Sequence, residues 1–404
     1  MIQKKAPTTN NIVLFDGEIR NNLLPLSFCR PVADFRFGIL TVREKWERIL
    51  PGRYSYLTEA YLANKFPVCL ESDTLFIAGN ICPSLMLSAE VANLREGEAL
   101  MNKERLLAFR GTREQFESTS FIYQKETESA ILFFENLYDI FLLNDRALEE
   151  DFRLITDGRT SAPLSPSVRV IGDPSFPDGT PKIFLEEGVS MECVILNVTN
   201  GPVYLGSHAE IQEGSSIRAP FAACTHAVVN MNTKIYGATT LGPYCKVGGE
   251  LNNVVMFGYA NKAHEGFLGN AVIGEWCNIG AGTNASNLKN DYSEIKLWNY
   301  PCGRFLKTGL QFCGLIMGDH SKAGINCMFN TATVLGVGVN IHGAGFPRNF
   351  VPSFSEGGNS GFADVALVKF FQTAARMMSR RGKELTETDR EIFEYIYSQA
   401  ENYK

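Results

Sequence analysis

Aliphatic residues recur every six positions through the middle of the chain, between about residues 168 and 345. The clearest runs with this spacing are Leu205, Ile211 and Ile217; Leu241 and Val247; Phe267, Ile273 and Ile279; and Leu335 and Ile341. A short fixed repeat of this kind is typical of a solenoid, in which three hexapeptides form one triangular coil. The pattern predicts a parallel β-helix over residues 168–350, with the aliphatic side chains inside and glycine or asparagine at the corners.

Two stretches within this region lack the six-residue period. They are Ala219–Lys234 and Asn287–Leu310. We predict that both leave the coil as protruding loops.

The first part of the chain has a different pattern, with apolar runs alternating with helical spacing. The runs Asn11–Asp16 (NIVLFD) and Thr74–Asn80 (TLFIAGN) predict buried strands that end in turns. Thr41–Leu50 has apolar residues at helical spacing behind a threonine cap. We therefore predict an α/β domain over residues 1–160, with a parallel or mixed sheet. Residues 156–167, rich in Ser, Pro and Thr, predict a linker.

Residues 362–404 return to helical spacing. One predicted helical face carries Val365, Val368, Phe371, Ala374 and Ala375. A second helix follows, in which Thr388 and Glu391 have the spacing of a capping box. We predict that this helical tail packs against the β-helix or against a neighbouring subunit.

Composition and charge exclude several classes of protein. The 404 residues carry 38 basic and 44 acidic side chains, a net charge of −6, without a basic block, so we expect no nucleic-acid partner. No apolar run is long enough to span a membrane, and the polar first residues do not resemble a signal peptide. The ten cysteines form no C-x-x-C pair, which favours free thiols, no metal site and a cytoplasmic location.

One histidine stands out as a candidate catalytic group. His264 lies in NKAHEG, a polar interruption of the six-residue pattern. A neutral imidazole on a rigid surface can accept a proton from an amine or hydroxyl that attacks an acyl donor. The alternative from the residues alone is a solvent-exposed loop histidine.

The segment around His264 resembles a known family. Residues 258–290, with the run NIGAGT, are similar to the acetyltransferase segment of the bifunctional N-acetylglucosamine-1-phosphate uridylyltransferase/glucosamine-1-phosphate N-acetyltransferases. The later run GDHSKAGIN is similar to coils of the archaeal-type bifunctional enzymes, and the whole resembles a divergent bacterial branch. The resemblance implies a left-handed parallel β-helix that trimerises and takes acetyl-CoA as acyl donor between subunits.

The resemblance also assigns roles by position. It implies that His264 is the base that deprotonates the amine of an amino-sugar phosphate. Asn278 matches a sugar-contacting position, and Asn287 matches an asparagine that helps to hold the base and the substrate. The main chain at Ala281 matches a contact to the acetyl thioester. The alternative for both asparagines is a corner residue that tolerates a left-handed conformation.

Other positions either depart from the family pattern or extend it. Phe267 and Leu288 stand where the family has tyrosines. Lys322 and Arg348 are candidates for contacts to the phosphates of acetyl-CoA, against the alternative of solvated surface charges.

The start of the chain resembles sugar-phosphate nucleotidyltransferases. Pro25–Pro31 (PLSFCRP) matches the middle of their signature, but the preceding DGEIRNN lacks the glycine-rich phosphate loop, and Asn80 replaces a metal-binding aspartate. We therefore expect Mg²⁺ as a cofactor of this domain only if the domain is catalytically active. Arg30 and Lys45 are candidates for binding a sugar phosphate or nucleotide, against the alternative of a scaffold whose basic residues form ion pairs.

Three hypotheses remain at this point. The first is a homotrimeric acetyltransferase acting on an amino-sugar phosphate, with or without nucleotidyl transfer by the first domain. The second is mainly a nucleotidyltransferase, with the β-helix as trimerisation scaffold. The third is a non-catalytic sugar-nucleotide-binding protein. The resemblance suggests synthesis of a UDP-N-acetylglucosamine-like precursor, but the residues fix neither the sugar nor the nucleotide.

Overall fold

The computed structural model describes residues 9–404; the polar residues 1–8, which begin the predicted first domain, lie outside this range. Contacts divide the chain into two compact units. The first comprises residues 9–23, 29–35 and 40–136, and the second comprises residues 24–28, 36–39 and 137–404. The division therefore falls near residue 136, earlier than the boundary placed at residue 160 from the sequence. No helix in the described part of the chain has both the length and the apolar character needed to cross a membrane.

The first unit is built on a six-stranded mixed sheet. In sheet order its strands are Arg53–Leu57, Asn11–Phe15, Thr74–Ala78, Arg105–Gly111, Glu98–Asn102 and Tyr123–Glu126. The first three strands pair in parallel, whereas Arg105–Gly111 pairs antiparallel with both of its neighbours. Val13, Phe76 and Phe109 are fully buried on this sheet. The predicted mixed sheet and both predicted buried strands are confirmed.

Short helices and a small strand pair complete the first unit. The α-helices are Val42–Ile49, Leu85–Ala92 and Arg113–Glu117; the 3₁₀-helices are Glu18–Leu23, Val32–Asp34 and Ala60–Leu62; and Ile81–Cys82 pairs with Leu132–Phe133. Thr41 caps its helix as predicted, because its hydroxyl accepts the Glu44 N–H while the Glu44 carboxylate accepts the Thr41 N–H.

The second unit is a parallel β-helix with three ladders of stacked strands. The first ladder contains Ile183–Leu185, Val203–Leu205, Phe221–Ala223, Thr239–Leu241, the end of Glu250–Met256, the end of Phe267–Ile273, Ile316–Met317, Val334–Leu335 and Phe350–Val351. The second contains Ser190–Met191, Glu210–Ile211, Val228–Val229, Lys246–Val247, Asn261–Lys262, Asn278–Ile279, Lys322–Ala323, Asn340–Ile341, Ser355–Gly358 and, antiparallel, Gly361–Asp364. The third contains Arg169–Ile171, Ile195–Asn197, Ser216–Arg218, Lys234–Tyr236, the starts of Glu250–Met256 and Phe267–Ile273, Asn284–Ala285 and Met328–Phe329.

The six-residue spacing arises because each turn of the chain visits the three ladders in order. Leu205, Ile211 and Ile217 lie one on each ladder and are all at most 1% exposed. Their side chains fill the interior, stacked on those of the coils before and after. The predicted β-helix is confirmed.

Three details of the predicted pattern can be compared with the structure, and the first and third of them differ. Ala219–Lys234 is regular coil and not a loop, because Ala223 takes the interior position between Leu205 and Leu241 where an aliphatic residue was expected. Asn287–Leu310 does leave the coil, and it contains an antiparallel hairpin of strands Lys296–Asn299 and Arg304–Lys307.

The third detail concerns the stretch around His264. Phe267 is half-buried, and its ring lies over the backbone of Gly269, whereas the next residue, Leu268, is 1% exposed and belongs to the interior cluster. The prediction that Phe267 fills the coil is therefore wrong by one residue. The interior residue six positions before Leu268 is Lys262.

One corner of the β-helix carries a stack of aromatic rings. Six residues in successive coils have φ between 53° and 61° and ring centroids 4.2–6.1 Å apart: His208, His226, Tyr244, Tyr259, Trp276 and His320. A left-handed conformation at a residue other than glycine costs about 1–2 kcal/mol. Ring stacking offsets part of that cost at each coil.

Helices flank the β-helix in sequence. The second unit contains the α-helices Asp139–Leu142, Asn144–Thr156, Leu367–Ser379 and Glu387–Ala400, and the 3₁₀-helices Leu26–Phe28 and Glu401–Tyr403. The tail packs on the coil as predicted, since Phe370 and Phe393 contact the His320 ring edge-on at 5.6 and 5.1 Å. The buried face of the first tail helix includes Phe370, whereas Val368 from the predicted face is 69% exposed.

The capping box of the last helix also differs from the sequence prediction. Thr386 and Asp389 form it, two residues before the predicted pair Thr388 and Glu391. The helix begins at Glu387, so Thr388 already lies inside the first turn. The sequence TETD offers two threonines, and backbone geometry selects the first of them.

Candidate functional site

His264 lies on an exposed corner of the β-helix. The corner joins strand Asn261–Lys262 of the second ladder to strand Phe267–Ile273, which begins in the third. His264 is exposed, and its imidazole makes no hydrogen bond or ion pair with any residue of the described range 9–404. The ring is therefore available to a ligand while the backbone beneath it is held by the coil.

The following coils place three of the other predicted residues along the same edge. Asn278 pairs with Asn261 in the second ladder and is exposed, and Lys322 pairs with Asn278 one coil further. Ala281 occupies the corner after Asn278, as His264 does after Asn261. Adjacent coils are about 4.8 Å apart. The structure thus aligns His264, Asn278, Ala281 and Lys322 on one edge.

Backbone hydrogen bonds tie these corners to one another. The Gly282 N–H donates to the Glu265 carbonyl at 2.9 Å, and the Asn326 N–H donates to the Ala281 carbonyl at 2.7 Å. Gly282 has a φ of 72°, and a Cβ there would meet the Asn326 side-chain oxygen at 2.1 Å. The left-handed backbone of this corner therefore favours glycine.

A lysine lies inside the β-helix directly beneath this corner. Lys262 is 1% exposed and occupies the interior position between Val247 and Ile279 of the second ladder. Its Nζ donates to the His264 carbonyl at 2.5 Å and to the Gly248 carbonyl at 3.4 Å. Burial lowers the pKa of this ammonium to about 8, and Glu265 opposes the shift. Sequence reasoning missed Lys262, although it continues the six-residue period up to Leu268.

Lys322 also has its charge engaged with the coil. Its Nζ donates to the His320 carbonyl at 2.8 Å, and burial lowers its pKa. Unlike Lys262, it has its side chain on the outer surface of the second ladder, in register with Asn278 and Asn340.

Two predicted residues lie away from the His264 edge. Asn287 follows strand Asn284–Ala285, at the next corner, and its amide donates to the Asn270 side-chain oxygen at 2.7 Å. Arg348 lies between the second and first ladders, beyond Ile341. Within one chain, neither residue belongs to the group around His264.

Arg348 lines a cavity of about 830 Å³ in the second unit. Its walls include four cationic and five aromatic side chains: Lys289, Lys296, Arg348 and Lys404, with Trp298, Phe305, Phe350, Phe362 and Tyr403. Asp364 is the acidic residue of the lining, and it pairs with Lys404 at 2.6 Å. Sequence reasoning identified Arg348 and missed the aromatic lining, of which Trp298 and Phe305 come from the hairpin that interrupts the coil.

The first unit has a buried carboxylate directly after strand Asn11–Phe15. Asp16 is 5% exposed; it accepts the Val32 N–H at 2.7 Å and the Thr58 hydroxyl, and it pairs with Arg20 at 3.4 Å. Burial raises the pKa of Asp16 to about 6, although these three partners oppose the shift. Arg20 also donates to the Tyr61 hydroxyl at 2.6 Å. The Asp16 carboxylate therefore already occupies the Val32 N–H and Arg20, which lie near the position expected for the phosphate loop.

The other predicted residues of the first unit are also buried. Arg30 is 6% exposed, and Lys45, on helix Val42–Ile49, is 2% exposed. Asn80, at the expected metal position, donates its amide to the Phe134 carbonyl at 2.8 Å. Among residues 9–404, no group of three or more His, Cys, Asp or Glu side chains could hold a metal ion. At the expected metal position the first unit thus offers an amide, where Mg²⁺ prefers a carboxylate.

Comparison with known proteins finds a similar family for the first part of the chain. Residues 12–160 match the family described as sugar nucleotidyl transferase. A bifunctional sugar-1-phosphate nucleotidylyltransferase/acetyltransferase of Sulfurisphaera tokodaii is 29% identical over 145 residues, 35% of this chain and 35% of that protein. The bifunctional protein GlmU of Synechococcus elongatus is 25% identical over 153 residues, 36% of this chain and 29% of its own length.

These similarities cover only part of the length of each protein. The matched stretch spans about a third of the length of each curated relative. Among solved structures, an Arabidopsis UDP-N-acetylglucosamine acyltransferase aligns with 55% of this chain and 80% of that chain, at 13% identity and a TM-score of 0.20. A similarity of that size does not identify a function.

Proposed function

We propose, from the premise that this chain is a divergent relative of the bifunctional sugar nucleotidyltransferase/acetyltransferase proteins, that its β-helix transfers an acetyl group from acetyl-CoA to the amine of an amino-sugar phosphate. The observation that carries the proposal is His264, an exposed imidazole without a partner among residues 9–404, on an edge that also presents Asn278 and Lys322. A rigid coil below a free imidazole suits a general base, because the base is held in place while the substrate enters.

In this mechanism the amine nitrogen of the sugar attacks the acyl carbon of acetyl-CoA, and His264 accepts a proton from that amine. The new carbon–nitrogen bond forms, the carbon–sulfur bond of the thioester breaks, and the thiolate leaves and takes up the proton. Asn278, exposed on the neighbouring coil, would hydrogen-bond the sugar. The main chain at Ala281 would lie along the acyl group, since it occupies the next corner on the same edge.

We further propose that the active form is a homotrimer. Asn287 and Arg348 lie away from the His264 edge of their own chain. A neighbouring copy is one way to bring such residues to that edge, and the oligomeric mass in solution tests this directly. A monomer at assay concentration would remove the shared-site part of the proposal.

The test of the acetyl transfer follows thiol release from acetyl-CoA with a panel of amino-sugar phosphates. His264→Ala should lower kcat by about 10²–10⁴ if the imidazole is a general base. His208→Gln is the matched control, since His208 is also exposed but lies on the aromatic corner; it should retain kcat within about twofold, within the range of surface substitutions. Unchanged turnover in His264→Ala would refute the proposal.

A second candidate activity is nucleotidyl transfer onto a sugar 1-phosphate by the first unit. The match of residues 12–160 to the sugar nucleotidyl transferase family favours it. The buried Arg30 and Lys45 would supply positive charge for phosphate groups, whereas the charge of Arg20 is paired with Asp16. Pyrophosphate release from each nucleoside triphosphate with Mg²⁺ and a sugar 1-phosphate tests this activity. An absence of release with every nucleotide would leave the first unit as a scaffold or a binding domain.

A further inference from the structure

Main-chain hydrogen bonds between successive coils follow one pattern at the corners after the second ladder. The carbonyl two residues beyond the interior position accepts the N–H that lies three residues beyond the interior position of the next coil. Three corners show it: the Cys193 carbonyl accepts from Gly214 at 3.0 Å, the Glu213 carbonyl from Asn232 at 3.0 Å, and the Ala281 carbonyl from Asn326 at 2.7 Å. The corner at His264 departs from this pattern.

At that corner the N–H of the next coil is bonded one residue later. Gly282, three residues after the interior Ile279, donates to the Glu265 carbonyl at 2.9 Å and not to that of His264. The His264 carbonyl accepts instead from the ammonium of Lys262 at 2.5 Å. A carbonyl turned toward the interior without a donor costs free energy. Lys262 therefore takes the role that a main-chain N–H has at the regular corners.

A second side chain holds the carbonyl just before His264. The Asn230 amide donates to the Ala263 carbonyl at 2.6 Å, although Asn230 lies two coils earlier on the second ladder. It reaches that far because the intervening corner, residues 248–250, has three residues between interior positions where the regular corners have five. A Cβ at Gly248 would meet the Ala263 oxygen at 2.4 Å, so this short corner lies directly against the one that bears His264.

The two side-chain donors act on the two peptide groups that flank His264. The Ala263 carbonyl belongs to the peptide before His264, and the His264 carbonyl belongs to the peptide after it. The outer carbonyls of the corner, at Lys262 and Gly266, accept main-chain N–H groups at 2.7 and 3.1 Å. Because the planes of the two flanking peptides set the direction of the Cα–Cβ bond between them, these hydrogen bonds determine how the imidazole leaves the coil.

The interior position of Lys262 does not itself require a cation. Val247 and Ile279 fill the same position in the neighbouring coils, and Lys262 is buried between them. Burying a charge costs stability unless its hydrogen bonds compensate. The bonds of this ammonium go to main-chain carbonyls, of which the closer is that of His264. The charge is therefore explained by the corner and not by the packing of the coil.

We propose that Lys262 and Asn230 are positioning residues, which orient the His264 imidazole by fixing the two peptide groups around it. Lys262 is buried, so it acts through the main chain and not by contact with a substrate. This inference rests on the proposed role of His264 as the base. It adds that the ring is directed from inside the coil and from the coil two turns earlier. Misplacing a catalytic group by about 1 Å can lower a rate about 10²-fold.

Kinetics of Lys262→Met separate positioning from folding. Methionine removes the donor and keeps the interior filled. For acetyl transfer, kcat should fall about tenfold to 10²-fold while KM for acetyl-CoA stays unchanged. Asn230→Ala should lower kcat about fivefold, because a neutral donor makes a weaker bond than an ammonium. Lys182→Met is the matched control, since Lys182 donates to the Val198 carbonyl at 3.3 Å in an earlier coil; it should retain both constants.

NMR of the imidazole tests the inference without turnover. The chain has five histidines, so the ε1 resonance of His264 is identified by its absence from His264→Ala. In Lys262→Met and in Asn230→Ala this resonance should shift or broaden, because the ring is no longer held in one orientation, while the other four resonances stay in place. In Lys182→Met all five should match those of the wild type.

Two results would overturn the inference. One is a His264 resonance in Lys262→Met that is identical to that of the wild type, or a change of all five histidine resonances together, which would mean that the lysine supports the whole coil. The other is retained kcat in Lys262→Met while His264→Ala is inactive. If Lys262→Met does not fold, Asn230→Ala, at a half-buried position, decides in the same two assays. Retained turnover in His264→Ala would refute the acetyl-transfer proposal alone, and the resonance would then decide the positioning.

Discussion

Replacing Lys262 with methionine should stabilise the protein and remove part of its dependence on pH. Methionine has nearly the same length as lysine but no charge, and the surrounding positions Val247, Ile279 and Leu268 are all interior. The substitution therefore keeps the volume of the coil filled. What it removes is the cost of holding an ammonium ion inside an aliphatic coil.

The size of that cost follows from the pKa of Lys262. Burial lowers it from 10.5 to about 8, and one pKa unit corresponds to about 1.4 kcal/mol, so charging the folded protein costs roughly 3 kcal/mol. Two hydrogen bonds to main-chain carbonyls are lost with the ammonium, at about 1 kcal/mol each. At pH 7 we therefore expect Lys262→Met to raise the free energy of unfolding by roughly 1 kcal/mol.

The pH dependence gives the sharper test. Between pH 8 and 10.5 the unfolded chain keeps the Lys262 proton while the folded chain has lost it. Stability of the wild type should therefore rise with pH across this window, and the full penalty should be present below pH 8. The stability difference should therefore change sign over the same window, from an advantage of roughly 1 kcal/mol for Lys262→Met to a deficit of roughly 2 kcal/mol.

Urea denaturation at pH 7, 8, 9 and 10 measures the difference between the variant and the wild type. Tyrosine ionisation at high pH is common to both proteins and cancels in that difference. Lys246→Met is the control, since Lys246 lies on the outer surface of the preceding coil. A difference for Lys262→Met that stays constant with pH would show that Lys262 has the same pKa in the folded and unfolded chains, and it would refute the reasoning.

Three further predictions use other parts of the chain. Thr386→Ala should cost about 1 kcal/mol of unfolding free energy, because it removes the helix cap, whereas Thr388→Ala should cost little; chemical denaturation of both variants compares them. Because burial raises the pKa of Asp16 from 3.8 to about 6, stability should fall as pH rises through that window, and Asp16→Asn should flatten the fall in denaturation curves measured between pH 4 and 7. Phe329→Ala should cost about 3–5 kcal/mol by opening the coil interior, while Met328→Ala, at a 39% exposed neighbour, should cost far less; thermal unfolding of each variant decides.

The six-residue period predicted the β-helix because the chain has the same number of residues between successive corners of the coil. The period identified interior residues only where those residues are aliphatic. Ala223 and Lys262 are interior residues that the pattern did not reveal, one because it is small and the other because it is charged. Phe267 misled the pattern because it is apolar and one position out of phase. Hydrophobicity reports burial on average, whereas the position within the coil is set by the backbone.

The candidate sites were predictable to different degrees. The exposed corner at His264 follows from a polar interruption within a regular repeat, and the structure places Asn278, Ala281 and Lys322 beside it. The cavity could not be predicted, because its walls come from segments distant in sequence, a hairpin and the last coils. Period and composition carry no information on which distant segments meet.

The aromatic corner gives the β-helix an intrinsic direction in which it should unravel. The rings at its first end, His208 and His226, are exposed, whereas Trp276 and His320 at the other end are buried, and the tail helices cover His320. Each coil of such an array is stabilised only by its neighbours. We therefore expect partial opening to begin at the first coils and to stop at the covered end, so that the edge bearing His264 remains assembled when the start of the array has already separated.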